Sequence, residues 1–254
     1  MEGTEIAVLM FSTCICGTLL YSLDSPVQAL GLSRTARAML MGLAIALTTF
    51  LIIRSPFGRR TGAHFNPAVT LTFFWLGRVH RWDATGYVIS HFLGGIAGVL
   101  AAREILGLRL AAPPVQYLVT LPGSLGTAVA FLGESLLSAL LMAVVLYATN
   151  HRLLTRYSPI FVAMVTVCYY ALSSSISGYS VNPARSFSSA MFAWIWQGIW
   201  IYFVAPCLGM LTAAALYIRG MGPGNVHCAK VFHDLHTVCP FPCSFEAWYW
   251  NERR

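Results

Sequence analysis

The sequence predicts an all-α membrane protein, with six transmembrane helices and two re-entrant half-helices arranged as an inverted repeat. Of its 254 residues, 57% are hydrophobic and 10% are charged, and the mean hydropathy is +0.67. Charged residues make up about a quarter of an ordinary soluble domain. The tripeptide Asn-Pro-Ala occurs twice, at 66–68 and 182–184. A polar turn repeated within two apolar halves indicates duplicated membrane architecture.

The apolar stretches give the order of the elements, because a helical crossing needs about 20 mostly apolar residues. Stretches free or nearly free of charge are 6–23, 38–53, 84–102, 135–149, 157–176 and 186–218. The last is long enough for a half-helix followed by a full crossing. Each half therefore contains a helix with an early acidic residue, a second long helix, a turn into Asn-Pro-Ala, a short apolar stretch and a third helix.

Three crossings in each half would invert the second half relative to the first, with the functional site where interrupted helices meet. The predicted first repeat is 1–103, with a half-helix at 66–77, and the second is 127–219, with a half-helix at 182–192. Residues 104–126, which contain Pro113-Pro114 and Pro122-Gly123, form the external linker. Residues 220–254 form a tail that contains Cys and His and lies outside the repeat.

The positive charges predict the orientation. Eleven of the sixteen Lys and Arg residues fall in the predicted cytoplasmic segments and four fall outside, while Arg185 stands alone in an apolar region. This excess places both termini in the cytoplasm and accounts for the net charge of +7 without a nucleic-acid partner. Residues 1–5 lack a basic n-region, so no cleavable signal peptide is predicted. We expect an integral protein of the cell (plasma or inner) membrane, surrounded by lipid.

The Asn-Pro-Ala turns have a physical purpose in a pore. Asn is a favoured helix N-cap and Pro is favoured at the first helical position, so each motif starts a helix. Two half-helices from opposite faces would bring their positive ends together at the midplane, which repels cations. Irregular backbone before each motif must be covered by protein or line an aqueous cavity. A water oxygen that accepts from both Asn amides cannot accept a proton, which interrupts a proton wire.

The sequence around both motifs resembles a known family. The runs are Gly62-Ala63-His64-Phe65-Asn66-Pro67-Ala68-Val69-Thr70-Leu71 and Ser177-Gly178-Tyr179-Ser180-Val181-Asn182-Pro183-Ala184-Arg185-Ser186-Phe187. They are similar to the two signature loops of the aquaporin (major intrinsic protein) family, and the resemblance covers roughly residues 5–218. It implies a passive channel for water that excludes protons and ions, assembled as a homotetramer with one pore per subunit.

The resemblance also implies a selectivity filter formed by Met41, Tyr170, Tyr179 and Arg185. An Arg at membrane depth usually faces a cavity; the alternatives are an interhelical brace or a side chain that reaches the headgroups. Met41 and Tyr170 have ordinary helix packing as their alternative. Tyr170 stands where water-selective members typically carry His, so selection would depend on size.

Two positions after the second motif separate the expected solutes. Glycerol-conducting relatives usually have Asp directly after Asn-Pro-Ala-Arg and a basic residue four positions further on, whereas this chain has Ser186 and Ala190. These residues favour water over glycerol. Hydrogen peroxide, ammonia or glycerol remains an alternative solute, and a non-conducting structural or sensor protein of the same fold is the alternative function.

Several buried polar residues are expected to support the pore. The resemblance implies that Glu134 and Glu5 accept hydrogen bonds from the backbone of the re-entrant loops; for Glu5 the alternative is a solvated terminal charge. It also implies that His64 lines the inner part of the pore, with a packed histidine as the alternative. His91 is interpreted as interhelical packing.

The tail allows two interpretations. Cys228, His233, His236, Cys239 and Cys243 are of the types that bind zinc, and the Cys-x3-Cys spacing is permissible. Against this, apolar residues from Val231 to Val238 recur near helical spacing, which is typical of an amphipathic segment at the membrane surface. We favour the interfacial or packing interpretation and predict no bound metal. No cofactor is expected, and no enzyme is expected because no nucleophile–base pair is evident.

Overall fold

The computed structural model describes residues 1–173 and 176–251, and these residues contain helices but no β-strand. The α-helices are α1 Glu2–Tyr21, α2 Arg34–Arg54, α3 Pro56–Thr61, α4 Pro67–Trp75, α5 Arg81–Leu106, α6 Leu108–Ala111, α7 Gly126–Thr149, α8 Ser158–Ser173, α9 Pro183–Ala193, α10 Ile199–Met221 and α11 Phe245–Asn251. Single 3-10 turns occur at Pro26–Leu30, Gln116–Leu118, Thr155–Tyr157 and Pro223–Asn225. The predicted all-α class is confirmed.

Within the described ranges, five helices (α1, α2, α5, α7 and α10) are long and apolar enough to cross a membrane. The sixth predicted crossing corresponds to α8, which is described for 16 residues, or about 24 Å at 1.5 Å per residue. Residues 174–175, at its predicted end, lie outside the described residues. The half-helices α4 and α9 have 9 and 11 residues, which is about half the length needed to cross a 30 Å hydrocarbon core.

The structure adds detail at two places in the predicted order of elements. Helix α7 begins at Gly126, so Glu134 lies inside the helix and does not open it. The segment between α2 and the first motif contains the short helix α3, because Ser55 accepts a hydrogen bond from the backbone of Gly58 at 3.1 Å and Pro56 occupies the first turn. A capping Ser followed by Pro is a strong local start signal for a helix.

The helices pack in matching pairs in the two halves. Helix α1 lies along α5 and α7 lies along α10, while α2 and α8 meet across the halves. Each half-helix packs against the third long helix of both halves: α4 and α9 both contact α5 and α10. The same set of contacts is thus made twice with the halves exchanged, as an inverted repeat requires.

Two surfaces close the ends of the bundle. The tail face carries residues 222–251 and the turns at the ends of α2 and α7. The linker face carries residues 107–125, which are not a loose connection: Leu110, Val115 and Tyr117 are buried with residues of α1 and α5. The start of α1 and the tail lie at the same face, since Glu2 contacts the loop at His64 and that histidine contacts Ala229 of the tail.

Small residues determine how closely α1 and α5 approach. A Cβ atom added at Gly94 would lie 2.0 Å from the backbone oxygen of Gly3, and one at Gly98 would lie 2.2 Å from that of Ala7. Backbone cannot rotate away as a side chain can, and small residues at such crossings are typical of membrane helix pairs.

We expect Gly94→Ala to destabilise the protein by about 1–3 kcal/mol, the usual cost of overpacking. The matched control is Gly86→Ala in the same helix, where an added Cβ meets nothing within 4 Å. Thermal unfolding in detergent measures both variants. Equal Tm values for the two would contradict the close crossing of α1 and α5.

Candidate functional site

The two Asn-Pro-Ala motifs start the half-helices. Asn66 caps α4, with its side-chain oxygen accepting a hydrogen bond from the backbone of Ala68 at 2.9 Å. Asn182 caps α9 by accepting from Ala184 and Arg185 at 3.1 and 3.3 Å. Pro follows each cap because the first helical position needs no N–H donor.

Each Asn also holds the loop of the opposite motif. The side-chain nitrogen of Asn66 donates to the carbonyl of Val181 at 2.8 Å, and that of Asn182 donates to the carbonyl of Phe65 at 2.8 Å. An amide nitrogen carries two hydrogens, so each Asn keeps one further donor after this bond. The two half-helices are therefore tied together at their N-terminal ends.

The residues that accept these bonds have unusual backbone conformations. Phe65 has φ 31° and Val181 has φ 48°, a region that is rare for residues with a Cβ and especially for β-branched ones. Such strain persists only where surrounding contacts fix it. Phe65 and Val181 are held at both ends, since their carbonyls bind the opposite Asn and their N–H groups bind buried carboxylates.

Glu134 supplies the carboxylate on one side. Its oxygens accept from the hydroxyl of Ser177 at 2.7 Å and from the backbone of Ser180 and Val181 at 2.9 and 2.7 Å. The side chain is fully buried. Three donors to one carboxylate offset the cost of burying its charge.

On the other side the carboxylate belongs to Glu2, and the prediction that Glu5 fills this place is wrong. Glu2 accepts from the backbone of His64 at 3.0 Å and of Phe65 at 2.7 Å, and from the ring of His91 at 2.7 Å. Glu5 accepts only from the hydroxyl of Thr61, at 2.6 Å, among the described residues. Both glutamates lie in the first turns of α1, which begins at Glu2, and their spacing of three residues is slightly less than one helical turn.

One sequence signal distinguishes the two glutamates. Leu9 follows Glu2 by seven residues and Leu141 follows Glu134 by seven, and both leucines line the central cavity. Seven residues are close to two helical turns, so such pairs share one face. The seventh residue after Glu5 is Ser12, which faces elsewhere.

The central cavity lies where the half-helices meet and has a volume of about 70 Å³. Asn66 and Asn182 both line it, with Arg185 and the two tyrosines Tyr170 and Tyr179. The remaining wall is mostly apolar and is contributed by several helices: Leu9, Ile45, Leu141 and Val162, with Thr13, Thr49 and Thr166. A few fixed donors thus face an otherwise apolar space.

A second cavity, of about 350 Å³, opens toward the linker face. Tyr170 and Arg185 line both cavities, so they form the wall between them. Met41 borders the second cavity, while Tyr179 packs edge-on against Tyr170 with ring centroids 4.6 Å apart. Three of the four predicted filter residues therefore surround the central cavity, and Met41 stands just beyond it.

Arg185 is only 7% exposed. Its Nη1 atom has no hydrogen-bond partner among the described residues. A buried guanidinium nitrogen with an unused donor at a cavity wall is placed to bind a solute. Gly42 permits the arrangement, because an added Cβ there would lie 2.9 Å from the Cβ of Tyr170.

His64 does not line the central cavity as predicted, because the tail packs over it. Its ring lies between those of Phe73 and Phe241, with centroid distances of 5.3 and 5.6 Å. One ring nitrogen donates to the carbonyl of Ala229 at 2.8 Å, which leaves the other to accept from Thr70 at 2.9 Å. His64 is a satisfied, buried histidine in this structure.

The tail is fixed to the bundle by further polar contacts. The backbone of Val231 donates to the carbonyl of Gly62 at 2.9 Å, and Ser158 donates to the carbonyl of Val231 at 2.6 Å. Lys230 is fully buried and donates to the carbonyl of Arg59 at 2.6 Å. The tail is thus part of the packed structure at this face.

The membrane-surface helix considered for the tail is not observed. Residues 226–244 are not helical, Val231 and Phe232 are buried in the protein, and Val238 is 90% exposed. Val231 and Phe232 belong to one apolar cluster with Ile53, Phe73 and Val162 of the bundle. These two residues serve internal packing, because the irregular chain turns them toward the end of the bundle.

Four of the five tail residues considered as metal ligands lie together. The ligand atoms of Cys228, His233, Cys239 and Cys243 are all within 4.8 Å of one another, and His236 is outside this group. The thiols of Cys228 and Cys243 donate to Cys239 and lower the pKa of its thiol.

Comparisons with known proteins agree with this architecture. The model of the family described as Major intrinsic protein matches residues 4–217, which ends before the tail. The "Probable aquaporin NIP-type" of Nicotiana alata is 37% identical over 162 residues. These residues make up 58% of that relative's length and 63% of this chain. Aquaporin Z of Photorhabdus laumondii is 29% identical over 224 residues, with 91% of that protein and 83% of this chain covered.

A solved structure shares the fold. The aquaglyceroporin from Plasmodium falciparum superposes with a TM-score of 0.70, covering 88% of this chain and 96% of that one. The sequence identity in this superposition is 20%, so the likeness concerns the fold alone.

We expect Glu2→Gln to destabilise the protein, because the introduced NH2 group confronts backbone or ring donors. Leaving a buried donor unpaired costs about 1–3 kcal/mol. The control is Glu5→Gln, where Thr61 keeps a second acceptor in the carbonyl of Phe57 at 3.2 Å. Thermal unfolding in detergent compares them, and an equal or larger loss of Tm for Glu5→Gln would contradict the assignment to Glu2.

Proposed function

This chain belongs to the major intrinsic protein family, and from that premise we propose that it is a passive channel for water that excludes ions and protons. The family makes it an integral membrane channel that passes water or small solutes. The observation that carries the finer proposal is the central cavity, which both Asn amides and Arg185 line within an apolar wall. A cavity must offer about 10–15 Å³ to a water-sized probe to hold one water molecule, so the cavity of about 70 Å³ admits water.

The donors in this cavity account for selection against charge. Asn66 and Asn182 each keep one N–H after bonding the opposite loop, so a water between them would accept two hydrogen bonds. That oxygen then has no lone pair free to accept a proton from its neighbour. The N-terminal ends of two half-helices and the guanidinium of Arg185 add positive potential, which repels cations.

The wall between the two cavities supports water over larger neutral solutes. Tyr170 and Arg185 border both sides of it, and two bulky side chains at this place favour solutes smaller than a three-carbon polyol. The two relatives named above are aquaporins and the solved structure that shares the fold is an aquaglyceroporin, so the choice of water as the solute rests on this wall and on Ser186 and Ala190. Hydrogen peroxide and ammonia are small enough to share this path.

Orientation, assembly and location complete the proposal. The tail face carries Arg54, Arg59, Arg152 and Arg156 at helix ends, which supports a cytoplasmic tail face by the positive-inside rule. Leucines remain exposed along the outer sides of the crossing helices, which suits contact with lipid or with further subunits. We propose a homotetramer in the cell membrane, with one pore in each subunit.

Osmotic shrinkage of proteoliposomes tests the function. The tail packs over the loop of the first motif, so permeability is measured both for the wild type and for the variant Lys230→Glu. In this variant a carboxylate would face the carbonyl of Arg59, and their repulsion should release the tail. We expect water efflux faster than from empty liposomes, with the variant at least as fast as the wild type. Efflux at the empty-liposome rate for both proteins would contradict a water channel.

The same preparation tests the wall between the cavities. Arg185→Ala removes a donor and opens the passage between the two cavities. Glycerol-driven reswelling should therefore become faster by about tenfold or more, which corresponds to a barrier lower by about 1.4 kcal/mol. The control is Arg34→Ala, since Arg34 is exposed and borders the second cavity but not the central one. Unchanged glycerol entry in Arg185→Ala would show that Arg185 does not select the solute.

A further inference from the structure

We propose that Cys228, His233, Cys239 and Cys243 bind one zinc-class divalent cation, and that this ion fastens the tail over the tail-face end of the pore. Three thiols and one imidazole are a ligand set typical of structural zinc sites. The regulatory half of this inference rests on the proposed channel function; the metal site itself does not.

The geometry of the four side chains fits a tetrahedral ion. Bond lengths of about 2.3 Å to sulfur and about 2.0 Å to nitrogen place the ligand atoms of a tetrahedral site about 3.5–3.8 Å apart. The sulfurs of Cys228 and Cys239 are 3.4 Å apart, and the sulfur of Cys243 is 3.3 Å from Nε2 of His233. All four ligand atoms lie within 4.8 Å of one another, so small side-chain rotations would enclose an ion.

The surroundings favour a structural site over a catalytic one. Cys228 and His233 are buried and Cys239 is half-buried, while Cys243 is exposed. The ring of His233 is held by stacking on Phe245, with centroids 4.2 Å apart. Four protein ligands fill the coordination shell and leave no open position for a substrate.

The chain around the cluster has little regular structure of its own. Residues 226–244 contain no helix or strand, and conformational entropy opposes holding such a segment in one arrangement. An ion bound by residues that span 228–243 closes this segment into fixed loops. Metal binding of this kind stabilises the folded arrangement directly.

The segment enclosed by the ligands is the one that covers the pore loop. Ala229 accepts a hydrogen bond from His64, Val231 donates to Gly62, and Phe241 stacks on the ring of His64. Ala229 and Val231 follow the ligand Cys228 by one and three residues. Phe241 lies between the ligands Cys239 and Cys243. Loss of the ion would therefore loosen the cover and expose His64, which directly precedes the cavity-lining residues Phe65 and Asn66.

Metal content of the full-length protein tests the site. Protein purified in detergent is loaded with Zn²⁺, dialysed and measured by elemental analysis, and Co²⁺ loading is followed by the absorption typical of tetrahedral thiolate coordination. We expect about one ion per chain for the wild type, and affinity lower by at least about tenfold in Cys239→Ser and in His233→Gln. The matched controls are His236→Gln in the tail and Cys168→Ser in α8, which should bind as the wild type does.

Several results would overturn the site. These are less than about a tenth of an ion per wild-type chain, a Co²⁺ spectrum without thiolate bands, or equal loss of metal in His236→Gln. An intact mass lower by two hydrogens under non-reducing conditions would also overturn it, because Cys228 and Cys239 would then form a disulfide. Cys239→Ser could lose metal because it misfolds. The second measurement is therefore the metal content of wild-type protein that has been stripped with a chelator and then reloaded.

Water efflux from proteoliposomes then tests whether the ion holds the tail over the end of the pore. Removing the ion from the wild type should raise permeability severalfold and reloading Zn²⁺ should reverse it, while Lys230→Glu should be insensitive to both. Identical permeability of the loaded and stripped wild type would overturn the fastening. Efflux at the empty-liposome rate in every state would contradict the proposed channel, whereas the metal-to-protein ratio would still decide the site.

Discussion

The structure depends on the mutual bond between two loops. Asn66 donates to the carbonyl of Val181, and Asn182 donates to the carbonyl of Phe65. Both accepting residues have positive φ angles, which neither loop would maintain alone. Each half of the chain thus provides the contact that fixes the strained turn of the other, and an unpaired buried carbonyl would cost about 1–3 kcal/mol.

Two buried carboxylates also hold the two loops in place. Glu134 binds the backbone N–H groups of one loop, and Glu2 binds those of the other. The backbone polar groups of two irregular segments are thereby satisfied at membrane depth, where lipid offers no hydrogen bonds. With both loops rigid, the Asn amides and Arg185 keep fixed positions around a cavity of about 70 Å³.

Sequence reasoning recovers the parts of this arrangement that are governed by local chemistry. Asn followed by Pro predicts a capped helix start, and repetition of the motif predicts two half-helices that meet. The position of Arg185 after the second motif predicts its place at the cavity. Each of these needs only neighbouring residues and the apolar pattern.

The features that were missed depend on contacts between distant segments. Glu2 and Glu5 lie less than one helical turn apart, and the packing of α1 places the carboxylate of Glu2 at His64. Likewise, His64 is buried because Ala229 and Phe241 of the tail reach it from more than 160 residues away. The cysteines of the tail indicated metal-ligand chemistry, but their convergence depends on an irregular fold that hydrophobic periodicity does not encode.

Hydrogen–deuterium exchange of the Asn66→Ala variant tests the mutual bond most directly. Without the Asn66 donor, the carbonyl of Val181 loses its partner, and the backbone amides of Ser180 and Val181 should exchange faster although their sequence is unchanged. Asn182→Ala should have the reciprocal effect on the amides of His64 and Phe65. Faster exchange confined to the loop that carries each substitution would contradict the account.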